Sequence, residues 1–120
     1  MPVDRKYQKN YVNLEESSRY CIKKIVELKN YKQFYIGGTG NPEERIIDHT
    51  RDKNMKNMFT LCRLPDRETT IELERKLISR FGNQDKIINK IVRDENGNII
   101  QGGGGEGIVE GINYIYICFH

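Results

Sequence analysis

Over residues 66–81, the side chains of Ile71, Leu73, Leu77, Ile78 and Phe81 gather into one apolar stripe when placed on a helix at about 100° per residue. Glu74 falls inside that stripe, whereas Glu68 and Glu72 fall on the opposite side. A carboxylate among Leu77, Ile78 and Phe81 is costly unless a cation or hydrogen-bond donors meet it. Such a group is either a rim residue paired with a basic neighbour or a metal ligand or catalytic carboxylate in a cleft. Arg45 and His49 form a second pattern: four residues apart, they share one helical edge, with Asp52 a turn further on. Ile46 and Ile47 lie off that edge and mark the expected buried side. An Arg and a His so placed can present two cationic or hydrogen-bonding groups to a phosphate; a solvated face with an Arg–Asp pair has the same spacing. The run GGTGNPE could hold an anion at a helix N-terminus, but it lacks the Gly-Lys-Ser/Thr of a P-loop and the spacing of a dinucleotide fingerprint. Tyr114 and Tyr116 share one strand face, where they either stack on bases or pack against the sheet.

These groups need elements to hold them. YCIKKIV (20–26) and FYIGG (34–38), joined by a polar connector, predict a β-hairpin. Asn41, Pro42 and Glu44 then give an N-cap, a first-turn proline and a capping-box spacing, so NPEERIIDHTRD reads as a helix. FTLCRL (59–64) predicts a third strand, and Pro65-Asp66 opens a helix that Gly82 stops near Phe81. INKIV, the DENGN turn and NIIQ predict a second hairpin, because Asn-Gly favours tight turns. The glycines at 102–105 read as a mobile loop at a sheet edge, followed by a last strand, INYIYICF. Residues 1–18 show no clear period and fit a short helix or a loose lead-in. The expected fold class is α+β: a small, mainly antiparallel sheet flanked by helices, with a β-β-α-β-α core and extra C-terminal β elements.

A chain of 120 residues is one domain's worth. Its 31% charged residues are balanced enough, at net +3, to permit a polyanionic partner without requiring one. No apolar run approaches the roughly 18 residues of a membrane span, and MPVDRKYQKN predicts no signal peptide. Cys21, Cys62 and Cys118 form no CxxC or Cys/His cluster, which argues against a zinc site or disulfide scaffold. The expected location is an intracellular, reducing compartment, cytoplasm or nucleus.

From the first predicted hairpin through the long helix, the chain resembles the GIY-YIG nuclease domain. Tyr35-Ile36-Gly37 is the YIG element; Arg45 stands ten residues beyond its tyrosine, and His49 four further on. Glu74-Arg75-Lys76-Leu77-Ile78 matches the E-x-x-L-I that carries the family's metal-binding glutamate, with Asn89 the candidate for the asparagine that follows and Asn83 a weaker one. The likeness covers about residues 20–90 and leaves 91–120 as a C-terminal β extension of a single 1–120 domain. It departs at the first motif: G-I-Y-K-I becomes Cys21-Ile22-Lys23-Lys24-Ile25, with Lys23 in the tyrosine's place.

The resemblance implies a metal-dependent endonuclease that hydrolyses phosphodiester bonds in DNA, RNA remaining open. Glu74 would hold one Mg²⁺ or Mn²⁺, with waters completing its shell. Tyr35 would help activate the attacking water, Lys23 would share that task or contact phosphate, and Arg45 would neutralise charge on the transition state. His49 would position the nucleophile or a phosphate, and Asn89 would orient its neighbours. A catalytically degenerate nucleic-acid-binding module is the alternative reading, and a structural or protein-interaction domain is a third. A bare catalytic module has little surface for reading bases, which leaves specificity to a protein partner or to a dimer paired through an exposed edge near 112–119.

Overall fold

The computed structural model describes residues 3–28, 33–53, 55, 57–82, 84, 87–88, 92–93, 95–97, 99–101 and 107–119. Two very short strands, β1 (Val3–Asp4) and β2 (Lys9–Asn10), lead into helix α1 (Leu14–Leu28). This helix replaces the first strand of the expected hairpin. Cys21 and Ile25 are buried together with Ser17 and Ser18, and Leu14 and Leu28 pack beside them, so the spacing of the whole segment is helical. Local β-propensity in YCIKKIV loses to that stripe, and Val26 is left exposed. The helix start is also written in the sequence: Asn13 Oδ1 accepts the Glu16 N–H at 2.8 Å, and Glu15 and Glu16 occupy the first turn.

The other expected elements in the core follow closely. Strand β3 (Phe34–Thr39) is entirely buried. Helix α2 (Pro42–Lys53) is capped by Asn41, whose Oδ1 accepts the Glu44 N–H at 3.2 Å while its Nδ2 reaches back to the Glu44 carboxylate. Strand β4 (Asn57–Leu64) precedes helix α3 (Arg67–Phe81), where Asp66 accepts the Thr69 N–H at 2.8 Å and Gly82 donates to the Ile78 carbonyl. Strands β5 (Val92–Arg93) and β6 (Ile99–Gln101) pair antiparallel as the second hairpin, with Gly97 in its turn at φ 85°. Residues 102–106, Asn83 and Asn89 lie outside the described residues.

The decisive element is β7 (Asn113–Phe119). The sheet order is β1-β4-β7-β3, with β2 also pairing with β4. β7 runs antiparallel to both β3 and β4, while β1 and β2 lie parallel to β4, so the sheet is mixed. The strand expected to be a peripheral extension is central, and no free edge exists there for a dimer to use. Alternation along β7 divides the core between the two faces. Ile115, Ile117 and Phe119 join Phe34, Ile36, Cys21, Leu73 and Leu77 on the α1/α3 side. Tyr116 and Cys118 join Tyr35, Ile46, Met55 and Met58 on the α2 side.

Candidate active site

β3 carries Tyr35 onto the α2 face of the sheet, and β7 places Tyr116 on that same face directly opposite Gly37. α2 lays His49 across them. Its ring centroid is 4.5 Å from that of Tyr35, and its Nε2 lies 2.8 Å from the Tyr116 hydroxyl. The two tyrosine rings stack at 6.3 Å with 23° between their planes. All three side chains are buried. The polar edge of α2 therefore faces inward together with Ile46, whereas Ile47, expected on the buried side, is 62% exposed. A stripe of polar residues turned toward a sheet needs polar partners, and the two phenols provide them.

Arg45, one turn before His49, reaches both phenol oxygens and also stands 3.7 Å from Asp48. Burial works against its charge, but the hydrogen bonds to Tyr116 and Tyr35 more than compensate and raise its pKa. Its Nε is buried without an acceptor among the described residues. Burial pushes Tyr116 well above the usual phenol range, and Cys118 and Tyr35 add to the effect while Arg45 opposes it. Tyr35 is raised for the same first reason, with Arg45 pulling down and Glu74 pushing up.

Glu74 comes to this cluster from α3 on the other side of β3. It is 6% exposed, and its carboxylate accepts the backbone N–H of Gly38. Burial raises its carboxyl to about 7, against the partial relief given by Gly38, Arg45 and Arg75. The two glycines let α3, β3 and β7 close on one another. A Cβ at Gly37 would lie 2.5 Å from the Tyr116 hydroxyl, and one at Gly38 would lie 3.1 Å from the Thr70 methyl on α3.

Tyr35, Arg45, His49 and Glu74 thus belong to one interacting set. Lys23 does not join it: it is exposed on α1, with no interaction with the set among those described. Tyr116 is the member that the first-motif comparison missed. Ile115-Tyr116 is an Ile-Tyr pair, which residues 21–25 lack, and it follows Tyr35-Ile36-Gly37 in the chain.

The donor set suits a small, hard cation. Among the described residues no group of three or more His, Cys, Asp or Glu side chains gathers, and Glu74 is the single buried carboxylate of the set; Mg²⁺ is commonly held by one or two carboxylates, with waters in its remaining places. A carboxyl whose pKa burial has raised to about 7 is also one that a cation would readily ionise. No helix among the described residues is long and apolar enough to cross a membrane. No protein-family model, curated protein or solved structure matches the chain.

Proposed function

We propose that the chain is a divalent-metal-dependent endonuclease that hydrolyses phosphodiester bonds in DNA, built on a GIY-YIG-like core whose first-motif strand is supplied by β7. The observation that carries this reading is the position of Tyr116. It fills, opposite the YIG strand, the place left empty by the sequence Cys21–Ile25, and it touches both Arg45 and His49. Four residues picked out by spacing and a fifth picked out by geometry interact around β3, which supports the reading.

Glu74 would hold a Mg²⁺ or Mn²⁺ ion, which when bound supplies Lewis-acid polarisation of the phosphate and its water. The remaining steps belong to the protein. With the imidazole neutral and its proton on Nδ1, His49 Nε2 accepts from the Tyr116 hydroxyl. As water attacks phosphorus and the P–O bond to the leaving oxygen breaks, Tyr116 can pass its proton to Nε2 and take one from the water, while the departing alkoxide takes a proton from solvent. Burial keeps free phenolate rare, so a relay through the imidazole is the less costly route. Tyr35, whose ring meets the imidazole at 4.5 Å with 51° between their planes, holds the ring that must change charge. The Arg45 guanidinium, on a side chain that is 21% exposed, complements the charge that builds on the phosphate oxygens. One such electrostatic group contributes about 3–4 kcal/mol.

The test is a cleavage time course on supercoiled plasmid and labelled DNA and RNA duplexes, with Mg²⁺, Mn²⁺ or EDTA. Nicking that needs the metal and disappears in both Glu74→Ala and Tyr116→Phe supports the reading. Nicking that survives either substitution removes that residue from the mechanism. The feature that favoured a binding-only module was Lys23 in a tyrosine's place, and Lys23 stands outside the cluster. Salt-sensitive binding without cleavage by the wild-type protein would restore that alternative.

A further inference from the structure

On the opposite face of the sheet, α1 and β4 bring two thiols together. The register of β4 against β7 shifts between Thr60 and Cys62, and both Leu61 and Cys62 consequently enter the cluster beneath α1 and α3. There Cys62 meets Cys21 of α1, and the two thiols are hydrogen-bonded to each other. A second donor comes from Ser17, whose Oγ accepts the Val12 N–H at 3.2 Å and is a hydrogen-bond partner of Cys62. A cavity of about 230 Å³ is lined by Lys9, Asn10, Ser17, Tyr20 and Cys62 among others. The Lys9 ammonium sits 5.8 Å from the Tyr20 ring centroid at the same cavity. Cys118 lies on the other face of the sheet with Tyr35 and Tyr116.

We propose that Cys62 and Cys21 form a peroxide-reactive pair, with Cys62 as the attacking sulfur and Cys21 as the resolving one. Two donors converge on Cys62 and favour its thiolate, while burial and the proton it shares with Cys62 hold the Cys21 thiol up. In the first step the Cys62 thiolate attacks a hydroperoxide oxygen. The O–O bond breaks, an S–O bond forms, and the leaving hydroxide or alkoxide takes a proton to depart as water or alcohol. In the second step the Cys21 sulfur gives up its proton and attacks the sulfenic sulfur. An S–S bond forms and a second water leaves. Two thiols are oxidised by two electrons, and one peroxide is reduced. The disulfide would tie α1 to β4, and nothing in this chemistry depends on the nuclease reading.

The folded full-length chain is exposed to hydrogen peroxide, unfolded in N-ethylmaleimide, and mapped by peptide mass spectrometry. The expected product is a Cys21–Cys62 disulfide with Cys118 alkylated, reversed by dithiothreitol. Cys21→Ser is expected to stop at a Cys62 sulfenic acid that dimedone traps, and Cys62→Ser to lose thiol about tenfold more slowly or worse. Alkylation of all three cysteines after peroxide, a disulfide that includes Cys118, or dimedone labelling absent from Cys62 in Cys21→Ser overturns the proposal. If either serine variant fails to fold by circular dichroism, the wild-type mapping decides alone.

Discussion

Replacing Gly37 with alanine tests whether Tyr116 works where it stands. Among the described residues only Gly97 and Gly111 have positive φ, so the β3 backbone accepts alanine and the perturbation is steric. The new methyl would lie 2.5 Å from the Tyr116 hydroxyl oxygen and 2.7 Å from Cζ. Ordinary contact begins at roughly 3.5 Å, so the phenol end must retreat by about 1 Å. The hydroxyl is now 2.8 Å from His49 Nε2, so a displacement of that size disturbs a hydrogen bond whose useful range is roughly 2.5–3.2 Å. A misplacement of about 1 Å at a reacting group is worth about 100-fold in rate. Overpacking adds a stability loss of about 1–3 kcal/mol, near 4 °C in Tm per kcal/mol for a chain of this size. Tyr116→Phe keeps the ring and hence the Cζ clash, but it has no hydroxyl left to displace. In plasmid nicking, each single substitution is therefore expected to slow the reaction about 100-fold, and the double to be little slower than Tyr116→Phe alone. Because the Cζ clash at 2.7 Å survives in the double while the closer one with the hydroxyl is gone, only part of the Gly37→Ala Tm loss should remain there. A Gly37→Ala protein that nicks at the wild-type rate despite a lowered Tm would refute the reasoning, as would a double whose rate loss is the product of the singles.

Glu74 sets a pH dependence. Its carboxyl titrates near 7 in the fold against an ordinary 4.5, so the folded chain holds a proton that the unfolded chain releases. Stability from this source is fully present below about pH 4.5 and lost as pH rises through about 7, a total on the order of 3 kcal/mol. In EDTA, wild-type Tm should fall more steeply than that of Glu74→Gln between about pH 5 and pH 8, and equal slopes would remove the assignment. Lys23→Ala is expected to nick within about twofold of wild type, since an exposed helix position away from the cluster has little to lose; a large loss would return Lys23 to the site. Asn113→Ala should lower stability by about 3 kcal/mol in urea unfolding, because its buried side chain holds the Val109 N–H and the Val109 and Gly111 carbonyls. A change below about 0.5 kcal/mol would show that this loop is held by other contacts.

What the sequence made legible was whatever local chemistry controls. Asn41 and Asp66 announced α2 and α3 through caps that need only their own first turns, and Glu74 announced itself by a mismatch with its own helix. Segment 20–26 was misread because its β-branched residues speak for a strand over seven positions, while the helical stripe emerges only when Leu14, Ser17 and Ser18 are included. Tyr116 was hidden for a different reason. Its role depends on which strand lies beside β3, and strand order is a long-range property that no spacing within β7 encodes. Asn89 lies outside the described residues.

The central place of β7 also governs how the chain reaches its native state. β3 and β4 are separated in sequence by α2 and two short connections, yet they never pair; the strand between them begins only at Asn113. The inner edges of β3 and β4 are therefore both completed by a strand distant in sequence. Direct zippering of β3 onto β4 would be a kinetic trap that excludes the last strand. Late insertion with a large loop-closure entropy predicts slow, high-contact-order folding. Until the insertion occurs, two apolar strand edges face solvent, the kind of surface on which intermediates aggregate and chaperones act.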